Sequence, residues 1–450
     1  MVVRICILLS LLCLTLAHGD QQPQGRTPVS PTPFFTVTRE LDQSLGERAD
    51  WVLGQTYSSL HDNDLLRVFM LLDRSTDNGK SWHSEGPISQ DVRLDAARIR
   101  RTSLGGFYLD PKNGLLVRFM SEFVLKSGSE MAWGDAAGYG PHTLRLLYEI
   151  SRDGGHTWEQ PRQIIETGAR YNGRHWARDV WYGRSSLSIE GQTPHRTSDG
   201  TIVLPAYLWP TDDYMKQIFD EQKWPPELRT SAPYFLESRC LLGRWKPDLS
   251  GFTWTSGGPI RVNGGWTSGG TLGSDEPAVA CLDDHRWFAV VRTGTAQPAD
   301  FKAKGIPMLR QCSVSQDGGK TWSLSEPLRF DDGSTIYSPC AWSTFIHSAR
   351  RDRWYWIGNI IAEPSWGDCD PRYPLQIAEL DPRTLRLKKS TLTVIEDRAP
   401  GDDKWVRFSN ARVYEERGTG DFILLMRKSY CELAPPGLPA PAFTYRIHHE

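Results

Sequence analysis

The chain has 450 residues, with 52 lysine and arginine residues against 54 aspartate and glutamate residues and a formal net charge of −2 at pH 7. This balance excludes the strongly basic surface that nucleic-acid-binding proteins present to phosphates. The length suffices for one large β domain or for two smaller domains.

Residues 1–19 have the pattern of a secretory signal peptide, with Arg4, an apolar stretch from Ile5 to Leu16 and the small-x-small site Ala17-His18-Gly19. Residues 20–33 are rich in proline, glutamine and threonine and predict a solvated linker. We therefore expect a secreted or periplasmic protein, with a buried N-terminal helix as the alternative interpretation of 1–19. The apolar stretch is short for a bilayer span and no other stretch is apolar enough, so no contact with a membrane is expected.

Six cysteines follow the expected cleavage site, namely Cys240, Cys281, Cys312, Cys340, Cys369 and Cys431. In an oxidising compartment they allow 15 disulfide pairings, among which the sequence does not choose. No C-x-x-C spacing is present, so a cysteine-based zinc site is not expected, and no motif requires another metal or a cofactor.

An eight-residue motif, S-x-D-x-G-x-[ST]-W, occurs three times, at Ser75–Trp82, Ser151–Trp158 and Ser315–Trp322. Repetition of this kind predicts a propeller, a solenoid or an array. The glycine and the aspartate predict a tight turn in which the carboxylate caps backbone N–H groups. We call these three segments the boxes and interpret their aspartates as structural.

Short strands separated by turns surround each box and predict six repeated units. The first ends near Ile88, and the sixth starts at Phe408 and reaches only Met426 before a tail. The four between them span 106–165, 185–262, 272–330 and 337–395, with decayed boxes at 250–254 and 385–388. Residues 34–38 alternate like a strand and could complete the sixth unit, which would leave no open sheet edge. We therefore predict an all-β domain over 34–450, a six-bladed β-propeller of four-stranded antiparallel blades closed by the N-terminal strand.

The predicted topology sorts side chains between two ends of the blades. The boxes, which join the third and fourth strands of a blade, lie at one end, which we call the box end. The loop leading into each blade and the loop between its second and third strands lie at the other, which we call the mouth end. Function is expected at the mouth end, on loops that a rigid scaffold carries.

Several polar side chains are predicted at the mouth end. They are His175 and Arg178 before blade three, Glu276 and Arg292 in blade four, Tyr337, Asn359 and Arg372 in blade five, and Arg412 in blade six. Guanidinium groups bind carboxylates with two hydrogen bonds, and indole rings stack on sugars, so this set favours an anionic glycan as the partner. A solvated loop around His175 and a structural ion pair between Glu276 and Arg292 are the alternatives.

The boxes resemble the Asp-boxes of sialidases. Blade four, from Glu276-Pro277-Ala278-Val279 through Val291-Arg292-Thr293 to the third box, resembles the sialidase pattern N-E-P-x-V, R-[NT], S-x-DGG-x-TW. Tyr337-Ser338-Pro339 and Arg372-Tyr373-Pro374-Leu375 are similar to further segments of secreted sialidase-like propellers. The resemblance covers about residues 50 to 430, and blade four is its most specific part.

The resemblance implies a glycosidase with a tyrosine nucleophile, because a neutral phenol approaches an anionic substrate more easily than a carboxylate does. It implies that Glu276 takes the phenol proton and that Arg292 and Arg372 bind the substrate carboxylate. It also implies that Asp64 is the proton donor, with Asp62 as its rival, since Asp64 stands 11 residues before the first box and is expected in the loop that enters the third strand of blade one. Tyr337 is the first candidate nucleophile and Tyr414 the second. The Y/F-R-I-P motif that carries the first arginine of the family is absent, since neither Arg39 nor Arg48 has that context.

Three functions are therefore considered. The first is a secreted sialidase-like exo-glycosidase that hydrolyses terminal acidic sugars, either sialic acid or a uronic acid. The second is a propeller lyase or another glycosidase acting on uronic-acid polysaccharide, with His175 or His61 as base. The third is a non-catalytic carbohydrate-binding propeller, since Asp-boxes also occur in proteins without activity.

Overall fold

The structure is a computed structural model that describes residues 34–43, 57–59, 64–69, 71–127, 143–189, 194–221, 236–263, 266, 273–293, 305, 307–366, 370–431 and 433–450. The expected signal peptide and linker, together with Arg48, His61, Asp62 and Cys369, lie outside the described residues. The other five cysteines after the expected cleavage site are free thiols.

The described strands form the six blades of a β-propeller, as predicted. The first strand in the chain, β1 (Phe35–Leu41), lies in the sixth blade. Blade one contains β2 (Tyr57–Ser59), β3 (Leu65–Phe69), β4 (Leu71–Ser75) and β5 (His83–Pro87). Blade two contains β6 (Ser89–Arg93), β7 (Arg98–Leu109), β8 (Leu116–Lys126), β9 (Arg145–Ser151) and β10 (Arg162–Gln163).

A small hairpin, β11 (His175–Ala177) and β12 (Val180–Trp181), leads into blade three. Blade three contains β13 (Ser186–Ser188), β14 (His195–Arg196), β15 (Ile202–Trp209), the helix α1 (Asp212–Glu221), β16 (Glu237–Trp245) and β17 (Phe252–Ser256). Blade four contains β18 (Asp275–Cys281), β19 (Trp287–Arg292), β20 (Gln311–Ser315) and β21 (Glu326–Pro327).

Blade five contains β22 (Thr344–Ser348), β23 (Arg353–Asn359), β24 (Leu375–Asp381), β25 (Arg386–Leu387), a 3-10 turn (Lys389–Thr391) and β26 (Thr393–Glu396). The remaining strands are β27 (Val406–Arg407), β28 (Arg412–Glu415), β29 (Phe422–Arg427), β30 (Ser429–Tyr430) and β31 (Ala442–His449). Blade six has the order β1-β31-β29-β28, and β27 pairs with β30. Blades two, three and five each carry a fifth strand, which the four-stranded repeat pattern does not contain.

The boxes are turns closed by their own side chains. In the third box, the Asp317 carboxylate accepts hydrogen bonds from the Thr321 backbone N–H at 2.9 Å, the Thr321 hydroxyl at 2.7 Å and the Ser315 hydroxyl at 2.9 Å. Gly319 has a φ of +77°, and a Cβ at this position would lie 2.4 Å from the Trp287 ring, so the turn requires glycine. The predicted capping role of the box aspartates is confirmed.

The same box defines the two ends of the blade. The Gly318 N–H donates to the carbonyl of His285 at 2.8 Å, and His285 lies in the turn between β18 and β19. The turn between the first two strands therefore lies at the box end. Asp275 and Arg292, which are directly paired at the opposite end of these two strands, lie at the mouth end.

The helix α1 is inserted between the second and third strands of blade three. The Thr211 hydroxyl accepts from the backbone N–H of Tyr214 at 3.3 Å and so caps the first turn. Asp212 and Asp213 lie in that turn, where the helix dipole favours negative charge. In the described part of the chain, no helix combines the length and the apolar composition needed to cross a membrane.

The N-terminal strand closes the ring, as predicted from residues 34–38. Strand β1 pairs antiparallel with β31 from Phe35 opposite His449 to Leu41 opposite Phe443. Phe35 is 2% exposed, and its ring lies 5.5 Å from that of Tyr355 in blade five. One buried side chain of the closing strand therefore joins the last blade to its neighbour.

We expect Phe35→Ala to lower the free energy of unfolding by about 3–5 kcal/mol, the usual cost of removing a buried phenylalanine ring. Thr38→Ala is the matched control, because Thr38 is exposed on the same strand and should change stability little. Denaturant unfolding of both variants measures the difference. Equal losses would show that β1 is not an integral part of the last blade.

Candidate functional site

Four arginines converge on one short buried segment, Ser338–Trp342, which leads into the first strand of blade five. The Arg292 Nε donates to the Cys340 Sγ at 2.9 Å, and an Arg372 Nη donates to the Cys340 carbonyl at 3.2 Å. The Arg310 Nε donates to the Ser338 hydroxyl at 3.0 Å, and the Arg412 guanidinium lies 4.2 Å from the centre of the Trp342 ring. We call these four side chains the arginine cluster.

The strand ends explain why these arginines meet. Arg292 ends β19, Arg310 precedes β20, Arg372 precedes β24, and Arg412 begins β28. Each position is at the mouth end of its blade, close to a loop between strands or to the start of a blade. The predicted convergence of Arg292, Arg372 and Arg412 at this end is therefore present in the fold.

The four cations differ in exposure. Arg310 is 1% exposed, and its other guanidinium contact is the Ala341 carbonyl; burial lowers its pKa to about 10. Arg412 is also buried, against Trp342. Arg292 and Arg372 are partly exposed. Two arginines therefore hold the segment in place, and two can reach a bound molecule.

Two consecutive carboxyl groups share the guanidinium of Arg292. The Glu276 Oε1 lies 2.6 Å from the Arg292 Nη1, and the Asp275 Oδ2 lies 3.6 Å from the same nitrogen. Neighbouring side chains of a regular strand point to opposite faces. Here the pairing of β18 with β19 is irregular between Asp275 and Ala278, and Glu276 has a φ of +43°. This bulge turns both carboxyl groups toward one cation.

Burial dominates the electrostatics of Asp275. The residue is 4% exposed, and this burial raises the pKa of its carboxyl well above the ordinary value. The Arg292 guanidinium acts against the rise, while the neighbouring Glu276 and Cys340 add to it. The carboxyl of Asp275 therefore favours its neutral form.

Asn359 lies behind the arginine cluster and joins two blades. Its side-chain N–H group donates to the backbone carbonyls of Pro374 at 3.1 Å and Phe408 at 2.9 Å, and its backbone carbonyl accepts from the Ser338 hydroxyl at 2.6 Å. Asn359 is fully buried. These contacts hold two segments in place, the one that carries Arg372 and the one that carries Ser338, so Asn359 has a supporting role. The predicted contact of Asn359 with substrate stays a prediction.

Tyr337 precedes the buried segment, but its phenol is not joined to Glu276. Its backbone pairs with Leu309 and Ile361, and its side chain is partly exposed. Among the residues that the structure describes, the phenol makes no hydrogen bond. The hydrogen bond from a tyrosine to Glu276 that the family resemblance implies is therefore not formed by Tyr337.

Asp64 is placed away from the arginine cluster, which corrects its expected position. The 11 residues before the first box fold as a tight hairpin, in which Leu65 pairs with Ser75 and Phe69 with Leu71. Asp64 comes between β2 and β3 and so lies beside the box. The spacing alone had suggested one strand between this residue and the box, whereas the chain makes two.

His175 and Arg178 lie in the hairpin before blade three and are held by local contacts. The His175 ring stacks on Trp181 with a centroid distance of 4.5 Å and an interplanar angle of 6°. An Arg178 Nη donates to the Ser256 carbonyl at 3.4 Å, and its backbone N–H donates to the Glu166 carboxylate at 2.8 Å. No contact joins either side chain to the arginine cluster within the described residues.

A second tyrosine and glutamate pair is present in blade three. The Tyr214 hydroxyl donates to the Glu237 Oε1 at 2.9 Å, and Arg239 and Arg261 contact the same carboxylate at 2.7 and 3.3 Å. Burial and the Glu237 charge raise the pKa of Tyr214 to about 12. The pair joins the helix α1 to Glu237, the first residue of β16.

A cavity of about 1050 Å³ lies at the box end. It is lined by His195, His347, Trp354 and by charged residues of both signs. Burial and the nearby His347 lower the pKa of His195 to about 4. The arginine cluster does not line this cavity, so it is a separate feature. Among the described residues, no group of three or more His, Cys, Asp or Glu side chains is arranged to hold a metal.

Three residues in or beside the arginine cluster were not candidates from the sequence. Asp275 and Arg310 lie next to strand ends, so the rule that selected Glu276 and Arg292 also selects them once the strands are known. Cys340 has no sequence signal of its own. Only the packing of the segment into the arginine cluster reveals it.

Comparison with known proteins agrees with the propeller fold. The BNR/Asp-box repeat model matches residues 313–324, which contain the third box. The structure is similar to the Hadza microbial sialidase Hz136, with a TM-score of 0.54 at 13% identity over 88% of this chain and 65% of that one. It is also similar to the K499G mutant of the NanB sialidase from Streptococcus pneumoniae, with a TM-score of 0.51 at 11% identity over 94% and 71% of the two chains.

The chain has the sialidase fold. The predicted resemblance is thus confirmed for the propeller and its Asp-box repeat. NanB in complex with a chlorobenzylammonio ethanesulfonate matches with a TM-score of 0.50 at 11% identity, over 93% of this chain and 71% of that one. The chain spans less than two thirds of the length of the Hadza sialidase. No curated protein sequence matches this chain.

We expect Arg292→Met to lower the free energy of unfolding by about 2–4 kcal/mol, because it leaves buried carboxyl groups without their cation. The double variant Arg292→Met, Glu276→Gln should be less destabilised than the sum of the single variants. Denaturant unfolding in a double-mutant cycle gives the coupling. Simple additivity would contradict the shared contact.

Proposed function

We propose that this protein is a secreted sialidase-like exo-glycosidase that hydrolyses terminal acidic sugars from glycans. One observation carries the proposal: the arginine cluster and the buried carboxyl groups of blade four meet at the mouth end of a sialidase-type propeller. The structural similarity to solved sialidases, at low sequence identity, supports the fold alone. The activity is inferred from the side chains of this chain.

The two partly exposed arginines suit the carboxylate of an acidic sugar. Arg292 and Arg372 contact the side chain and the backbone of the same residue, Cys340, at 2.9 and 3.2 Å. Their guanidinium groups are therefore close together, and guanidinium groups as a class suit carboxylates because they present several N–H donors in one plane. The NanB sialidase, a structure similar to this one, has been solved in complex with a zwitterionic compound that carries an ethanesulfonate group.

Glu276 is the proposed general base. Its carboxylate is held by Arg292 at 2.6 Å, a contact that favours the ionised form. An ionised carboxylate at this position can accept a proton from the group that attacks the anomeric carbon. Tyr337 remains the proposed attacking group, since it directly precedes the segment that carries the arginine contacts, and a water molecule is the other.

The substrate class is an acidic sugar in the broad sense. Within the part of the chain that the structure describes, the arginine cluster contains two partly exposed arginines rather than three. The Y/F-R-I-P motif is absent from the sequence. A carboxylate on a sialic acid and a carboxylate on a uronic acid both satisfy two guanidinium groups. Sialic acid and uronic acid are therefore both proposed substrates.

A non-catalytic carbohydrate-binding propeller is the second candidate. The position of Asp64 at the box end and the missing hydrogen bond between Tyr337 and Glu276 favour it. The lyase alternative has less support, because His175 is stacked on Trp181 and has no contact with the cluster among the described residues. Calorimetric binding of an acidic sugar without product formation would select the non-catalytic function.

We expect Glu276→Gln to reduce kcat for an aryl glycoside of sialic or glucuronic acid by about 100-fold or more, because the amide cannot accept the proton. Glu326→Gln is the matched control, since Glu326 is exposed on the last strand of the same blade. The release of the aryl alcohol measures both. Full activity of Glu276→Gln would exclude Glu276 as the base.

Tyr337→Phe separates the two possible attacking groups. If the phenol attacks, this variant loses turnover while it keeps its affinity for the acidic sugar, because the arginines are untouched. Tyr214→Phe is the control, since that phenol is engaged with Glu237 in blade three. Unchanged kcat in Tyr337→Phe would assign the attack to water.

A further inference from the structure

Asp275 is less well paired than Asp370, another carboxyl group at the mouth end. Asp370 is paired with Arg407 through two parallel contacts, at 2.8 and 2.7 Å. The Asp275 Oδ2 is only 3.6 Å from Arg292, and its Oδ1 is buried with no hydrogen-bond partner among the described residues. A buried, poorly paired carboxyl group costs less as the neutral acid than as the ion.

The two carboxyl groups on Arg292 are therefore unequal. Glu276 makes the short contact at 2.6 Å, so it takes most of the stabilisation that the guanidinium offers. Asp275 has the longer contact and the more deeply buried side chain, 5% exposed against 11% for Glu276. Two adjacent carboxyls whose surroundings favour opposite protonation states form an acid and base pair.

Four neighbouring groups influence the protonation of the Asp275 carboxyl. Arg292 on β19 and the buried Arg310 before β20 favour its ionised form, while Glu276 on its own strand and Cys340 before β22 disfavour it. Burial is the largest influence and raises the pKa of Asp275 well above the ordinary value. A pKa raised in this direction favours the protonated form that an acid catalyst needs.

We propose that Asp275 is the proton donor of this site and protonates the glycosidic oxygen of the bound acidic sugar. The inference rests on the proposed glycosidase function and supplies the acid that Asp64, at the box end, does not. It is carried by the juxtaposition of Asp275 and Glu276 on one Arg292 nitrogen and by the unpartnered oxygen of Asp275.

The step balances between the two carboxyl groups. The bond between the anomeric carbon and the glycosidic oxygen breaks, its electron pair stays on the oxygen, and the Asp275 proton forms the new O–H bond of the leaving alcohol. If water attacks, it supplies the oxygen that ends on the anomeric carbon, its proton passes to the Glu276 carboxylate, and exchange with solvent restores neutral Asp275 and ionised Glu276. If the Tyr337 phenol attacks, its proton passes to Glu276; water then displaces the phenol from the anomeric carbon and gives its proton to ionised Asp275, and the phenol oxygen regains the proton from Glu276.

The test compares two leaving groups within one variant. The full-length Asp275→Asn protein is assayed with the nitrophenyl and the methyl glycoside of the same acidic sugar. Nitrophenolate leaves without protonation and methoxide does not, so loss of a proton donor affects only the methyl glycoside strongly. Because the ratio of the two kcat/KM values is internal to one sample, it does not depend on the folded fraction.

We expect the kcat/KM for the nitrophenyl glycoside, divided by that for the methyl glycoside, to rise by about 100-fold in Asp275→Asn relative to the unsubstituted protein. This is the usual contribution of a general acid. The alkaline limb of the pH profile for the methyl glycoside should also disappear. Asp283→Asn is the matched control, since Asp283 lies in the turn at the box end of the same two strands and is largely exposed. It should leave both the ratio and the profile unchanged.

Two outcomes overturn the proposal in different ways. An equal fall for both substrates, with the alkaline limb retained, would make Asp275 a structural residue while the glycosidase function stands. No turnover of either substrate by the unsubstituted protein would overturn the proposed function and this inference with it.

Discussion

The candidate site depends on the contacts that Arg292 makes. Its guanidinium lies 2.6 Å from Glu276, 3.6 Å from Asp275 and 2.9 Å from the Cys340 sulfur. One side chain thus joins two carboxyl groups of blade four to the segment that leads into blade five. Because one cation cannot fully stabilise two buried anions, the closer carboxyl group, Glu276, gains more from it than Asp275, and burial raises the pKa of Asp275.

This contact requires a strained backbone at Glu276. Glu276 has a φ of +43°, in a region that side chains other than glycine seldom occupy, and such strain costs on the order of 1–3 kcal/mol. The ion pair with Arg292 offsets part of it. Strained backbone at a cluster of charged side chains is a frequent property of functional sites, and here the strain is what directs both carboxyl groups to the same cation.

The repeated boxes provide the rigidity that such an arrangement needs. Each box closes its turn through its own serine, aspartate and glycine, and the third box is further joined to the neighbouring turn at His285. All of this bonding is at the box end. The mouth end is free to differ from blade to blade, and it is there that the four arginines converge on Ser338–Trp342.

The fold was largely predictable from the sequence, because the boxes set the register of the strands and residues 34–38 supplied the missing strand. The same register placed Glu276, Arg292, Arg372 and Arg412 at one end of the blades. The predicted position of Asp64 was wrong, because an 11-residue spacing is compatible with one strand or with a hairpin.

Side-chain contacts were beyond the reach of the pattern. The sequence does not show that a bulge turns Asp275 toward Arg292, or that Cys340 packs among arginines, because both depend on how neighbouring blades meet. The absence of a hydrogen bond between Tyr337 and Glu276 is likewise a property of packing.

The proposed function requires that Arg292 and Arg372 bind the carboxylate of a sugar. Calorimetric titration of the protein with sialic acid and glucuronic acid, each compared with its uncharged amide, measures this binding. We expect at least one acid to bind about tenfold or more tightly than its amide, and added salt to reduce the difference. Equal affinities of acid and amide for both sugars would exclude a carboxylate site at these arginines.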